Sequence, residues 1–131
     1  MTTRSPGGQG TAQAKPDSST SRLLWRWALG VAMAVQLVVL YAPRAPAGPH
    51  INGFDKVIHL SIFAAPVFAA LMVGIRPRWA LLVLALHAPI SELIQHFVLP
   101  HRSGDVVDAI ADLSGVLLGG MAYMVWNRRQ H

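Results

Sequence analysis

The stretch DVVDAIADLSGVLLGGMA, residues 105–122, decides how this chain folds. Its acidic and small residues fall at Asp105, Asp108, Asp112, Gly115, Gly119 and Ala122, spaced 3, 4, 3, 4 and 3. That spacing is one stripe of a helix. The remaining positions are mostly Val, Ile, Leu and Met, a surface suited to lipid. The outer half of the stripe is acidic and the inner half is small. Gly115 and Gly119 form a GxxxG pair, which permits close approach of a second helix. The face that packs against neighbours is therefore the face that carries the carboxylates, and they point into protein rather than lipid.

Three further apolar segments precede this one, at about Leu23–Ala42, Val57–Ile75 and Trp79–Leu99, with the last running from Val106 to about Trp126. Each approaches the ~20 residues that cross a hydrocarbon core. In lipid such spans are helices, because every backbone polar group needs an internal partner. The expected fold is all-α, a polytopic membrane protein built as a bundle of four transmembrane helices. Composition agrees: 53% of the 131 residues are hydrophobic and 13% charged, against about 25% charged in a soluble domain. Mean hydropathy is +0.40.

Residues 1–21 are rich in Gly, Ser, Thr, Gln and Pro without apolar periodicity, and read as a disordered cytoplasmic tail. Residues 22–131 form the transmembrane domain. A competing reading removes residues 1–47 as a signal peptide, since Arg22 and Arg26 precede an apolar run and Ala45-Pro46-Ala47 resembles a cleavage site. The apolar run and the tail before it are both long for that role.

Orientation follows from Lys and Arg. With the N-terminus inside, Arg4, Lys15, Arg22, Arg26, Arg76, Arg78, Arg128 and Arg129 are cytoplasmic, and only Arg44, Lys56 and Arg102 lie outside. This bias predicts both termini in the cytoplasm. Trp25, Trp27, Trp79 and Trp126 then mark the inner boundary and Tyr41 the outer one. The net charge of +5 reflects these flanking cations, which form no continuous stripe, so no nucleic-acid partner is expected.

Under this topology three helix ends bring polar residues to the outer face. Asp55, Lys56 and His59 open the second span; Glu92, Gln95 and His96 close the third; Asp105, Asp108 and Asp112 open the fourth. Glu92 and Asp112 lie roughly 10 Å below the boundary at 1.5 Å per residue. Ionisable groups at such depth are functional-site candidates. The simplest alternative for Asp105 and Asp108 is solvation at a helix N-terminus. For Glu92 it is a structural ion pair with Lys56, Arg102 or His59. His59, next to Asp55 on a helix surface, suits a proton carrier or a hydrogen-bonded core histidine. Pro89 should kink the third helix beside Ser91-Glu92. His87 reads as structural, and Gln36 as bonding a neighbouring helix.

No cofactor is expected. Asp55, His59, Glu92, His96, Asp108 and Asp112 offer N and O donors, but Glu92 and His96 are spaced ExxxH and no HExxH is present, so no metal site is expected. The chain has no Cys, which excludes disulfides and thiolate sites.

Asp55-Lys56-Val57-Ile58-His59, Ser91-Glu92-Leu93-Ile94-Gln95, Arg102, Asp105, Asp108 and Asp112-Leu113-Ser114-Gly115 with Gly119 together resemble the VanZ-like membrane family over roughly residues 50–125. The resemblance implies a small bacterial protein of the cytoplasmic (inner) membrane with four or five helices, and a link to teicoplanin-type resistance. One departure is Asp112, where the family pattern favours Asn.

Two functions of different class are expected. The first is a non-enzymatic binding or envelope-modifying protein. Its outward pocket, formed by Asp55, Lys56, His59, Glu92, Gln95, Arg102, Asp105, Asp108 and Asp112, would hold a membrane lipid, a lipid-linked cell-wall precursor or a lipoglycopeptide. Lys56 and Arg102 would hold anionic groups and the carboxylates amines or hydroxyls. The second is an intramembrane enzyme acting on a lipid-linked substrate, with Glu92 or His59 as general base. An ion pathway needs polar groups through the whole depth, and the inner halves of the last three spans lack them. Oligomeric state is left open.

Overall fold

The computed structural model describes residues 18–42, 53–99 and 104–130. Four helices account for nearly all of them: α1 (Ser18–Tyr41), α2 (Phe54–Val73), α3 (Pro77–Phe97) and α4 (Val106–Arg129). Each is long and apolar enough to cross a membrane, and there is no strand among the described residues. At 1.5 Å per residue they run roughly 30–36 Å, matching a hydrocarbon core of about 30 Å.

The helix ends follow local chemistry. α1 starts at Ser18, so residues 18–21, expected as tail, already belong to the first helix. α2 ends at Gly74, whose φ of 98° suits glycine; there the Gly74 amide donates to Leu71 O and the Ile75 amide to Ala70 O, both at 3.0 Å. This left-handed cap satisfies carbonyls that the last turn leaves open. α3 begins on Pro77, where a missing N–H is harmless. α4 runs beyond Trp126 to Arg129, with two arginines in its last turn where cations favour the helix dipole.

α2 and α4 form the central pair and run parallel. Lys56 meets Asp108, His59 meets Asp112, Gly115 abuts Leu60 and Gly119 abuts Ala64. A Cβ at Gly115 would overlap the Leu60 carbonyl oxygen, and one at Gly119 the Ala64 carbonyl oxygen. The GxxxG therefore packs backbone against backbone, as expected from its spacing. The stripe does not continue to Ala122, which is exposed; Tyr123 is half-buried instead.

α1 packs on α2, with Trp25 edge-on to Phe68 at 5.5 Å. Phe63, Val67, Leu40 and Ala88 are fully buried between the helices. The outward faces carry Leu24, Trp27, Val38, Val57, Leu86, Leu117 and Met121, all exposed. Ser61 and Ser114 on these faces donate to Val57 O and Ile110 O one turn back, which hides their hydroxyls from an apolar solvent.

Candidate functional site

The first turns of α2 and α4 and the last turns of α3 meet at one end of the bundle and build two linked polar layers. The outer layer centres on Lys56. Its Nζ lies 2.5 Å from Asp108 Oδ1, 2.9 Å from Asp55 Oδ2 and 3.9 Å from Asp105 Oδ2. The inner layer centres on His59. Its Nδ1 lies 2.9 Å from Asp112 Oδ1 and 3.8 Å from Glu92 Oε1. Asp112 is 0% exposed, Glu92 and His59 6%.

Each position has a local cause. Asp105 is the N-cap of α4, its Oδ1 accepting the Val107 amide at 2.9 Å. This is the ordinary capping role of an aspartate, and it leaves the side chain about half exposed. The backbone of the same residue acts inward: its amide donates to Glu92 Oε2 at 2.8 Å. Gly104 permits this, because a Cβ there would overlap the Glu92 carbonyl oxygen. The segment entering α4 is thus seated on the last turns of α3.

Ser91, Glu92 and Gln95 share the buried face of α3 with Ala88. Pro89 lies one turn before them inside the helix. The Ser91 hydroxyl donates to Ala88 O.

Of the residues expected at the site, Asp55, Lys56, His59, Glu92, Asp105, Asp108 and Asp112 are brought together. Gln95 is buried beside Glu92 on α3, its Nε2 without a hydrogen-bond partner among the described residues. Arg102 lies outside the described residues. His96 is exposed, edge-on to Phe97, and stands apart from the inner layer. Glu92 was expected to pair with Lys56, Arg102 or His59; of these His59 stands within ion-pair distance, at 3.8 Å from Oε1, while the hydrogen bond of Oε2 comes from the Asp105 backbone amide.

Two expectations elsewhere meet different outcomes. His87 is structural, its Nε2 2.8 Å from the Tyr41 hydroxyl, which ties α3 to α1. Gln36 was expected to bond a neighbouring helix, but its side chain is fully buried with neither Nε2 nor Oε1 hydrogen-bonded among the described residues.

The electrostatic balance is one-sided. Among the described residues five carboxyl groups face one lysine and one histidine, a formal charge of −4 with every carboxyl ionised and His59 neutral, and −3 with His59 protonated. Lys56 is already matched by its carboxylates. A groove of ≈ 500 Å³ opens sideways between α3 and α4, lined by Pro89, Glu92, His96, Gly104, Asp105 and Val106. It connects Glu92 to the exposed apolar surface around Leu93, Phe97 and Val106.

Comparison with protein-family profiles, with curated proteins and with solved structures finds no match to this chain.

Proposed function

We propose that the chain is a bacterial inner-membrane protein of VanZ-like type, with both termini cytoplasmic. Its acidic recess takes up the amine-bearing head of a cell-envelope amphiphile: a membrane lipid, a lipid-linked wall precursor or a lipoglycopeptide. One observation supports this reading: among the described residues the recess gathers five carboxyl groups, and its only described lysine is already paired. That balance favours a cationic group over the phosphate or carboxylate that Lys56 would otherwise hold. The side groove supports the amphiphilic part, since it would let an acyl chain stay in lipid while the head reaches Glu92. The VanZ-like assignment rests on the order of motifs between residues 50 and 125, and the orientation on the bias of Lys and Arg.

The test is lipid retention through purification, read by native mass spectrometry against equimolar phosphatidylethanolamine and phosphatidylglycerol. The amine lipid should be retained in preference, and Asp108→Asn should weaken that preference. Deletion and overexpression should shift lipoglycopeptide susceptibility. Equal retention of both lipids, with susceptibility unchanged, removes the proposal.

A second reading, an intramembrane enzyme on a lipid-linked substrate, is favoured by the Asp112–His59 pair. A buried carboxylate on Nδ1 fixes the orientation of an imidazole that acts as general base. Folded Glu92→Gln and His59→Asn proteins that retain full function in cells would remove it.

A further inference from the structure

The inner layer is built from donor types that bind metal ions. One ligand atom each from His59, Glu92 and Asp112 lies within 4.8 Å of the other two, and all three residues are buried. Donors held about 2.1 Å from a common ion stand roughly 3.0–3.4 Å apart in octahedral or tetrahedral geometry. The His59–Asp112 edge of 2.9 Å already falls near that range, and the His59–Glu92 edge of 3.8 Å is a few tenths long. Small rotations of a glutamate side chain close such a gap.

A second observation points the same way. Glu92 Oε1 and Asp112 Oδ2 are buried and accept no hydrogen bond among the described residues. A buried carboxylate oxygen with no partner is expensive. Glu92 Oε1 is also the oxygen turned toward His59. Two carboxylates with a neutral imidazole carry the charge that a divalent ion neutralises.

We infer that His59, Glu92 and Asp112 form a three-ligand site for a divalent transition-metal ion of the zinc or manganese kind. One imidazole and two carboxylates suit those ions, and the absence of thiolates disfavours copper(I). Three protein ligands leave coordination positions open, as in catalytic rather than structural sites. The ligands come from α2, α3 and α4, so the ion ties three helices together at one point. His59, Glu92 and Asp112 are among the six N and O donors legible in the sequence, where the absence of HExxH gave the expectation of no metal site; they are 33 and 20 residues apart in the chain and meet only in the fold. The inference goes beyond the amphiphile reading and needs neither a lipid nor a sidedness.

The experiment uses the full chain in detergent, tag removed, stripped with EDTA and then dialysed against zinc or manganese chloride. Bound metal is measured by inductively coupled plasma mass spectrometry after desalting, and thermal unfolding is followed by circular dichroism. About one ion per chain is expected, with an unfolding temperature that rises with metal concentration. Glu92→Gln and Asp112→Asn should weaken binding at least about tenfold. His96→Gln, a nearby histidine outside the triad, should leave binding unchanged. Absence of stoichiometric binding by the wild-type chain overturns the inference, whatever the variants do. So does unchanged binding in a folded Glu92→Gln or Asp112→Asn protein. If one variant fails to fold, the wild-type stoichiometry and the other variant still decide.

Discussion

His59 is the residue on which the inner layer turns. It is the one positively chargeable group within 4.0 Å of the buried carboxylates of Asp112 and Glu92 among the described residues. Removing it leaves Asp112 without its hydrogen-bond partner and Glu92 with the Asp105 amide alone, and breaking such a buried pair destabilises by roughly 3–5 kcal/mol. His59→Ala should therefore unfold at much lower temperature in metal-free detergent, read by circular dichroism. Asp112→Asn is milder, since its amide oxygen can still accept the His59 Nδ1–H; about 1.5 kcal/mol or less is expected. Equal losses in the two variants would mean that the geometry around His59 carries little energy. This asymmetry was only partly legible in the sequence. Helical spacing put Asp112 on the buried stripe and Glu92 at matching depth, because depth and face follow from counting along a helix. The amide of Asp105 as partner to Glu92 had no signature, since a backbone donor looks the same at every residue. That Gln36 finds no hydrogen-bond partner among the described residues was equally invisible, because a buried amide normally finds one.

At the scale of the helices, the α2–α4 contact depends on two missing side chains. Gly115→Ala and Gly119→Ala should each push the pair apart, because the new Cβ meets backbone carbonyls of Leu60 or Ala64 rather than a flexible side chain. Overpacking of this kind costs about 1–3 kcal/mol. The same change at Gly30 in α1 is the control: nothing lies within 4 Å of its Cβ position, and alanine is the better helix former by up to about 1 kcal/mol. Denaturation of the three variants in detergent should separate them in sign. Gly115→Ala and Gly119→Ala as stable as the parent would show that the seam is loose. The GxxxG spacing and the four apolar runs were legible because lipid forces helices and small residues mark close contacts. The helix ends were less so: hydropathy falls off at the membrane boundary, but the backbone stays helical through Ser18–Arg22 and Asn127–Arg129.

For the whole molecule, the prediction concerns which side the acidic end faces. The chain has no cysteine, so single introduced thiols report without background. His50→Cys and Ser103→Cys should react with a membrane-impermeant maleimide in intact cells, and Pro77→Cys and Gln130→Cys only after lysis. The reverse pattern would turn the bundle over and, with it, the proposed source of the ligand. Convergence of three helix ends was legible, since alternating spans must return odd and even ends to opposite faces. The split into a lysine layer above a histidine layer was not, because side-chain pairing between distant helices depends on rotation about each axis. One consequence follows from what lies directly under Asp112. There Gly115 closes on Leu60, and Phe63, Val67, Ala88 and Val116 are almost wholly shielded. The polar layers therefore rest on a closed floor, and a guest of the proposed kind would have to enter and leave past Lys56 or through the gap between α3 and α4.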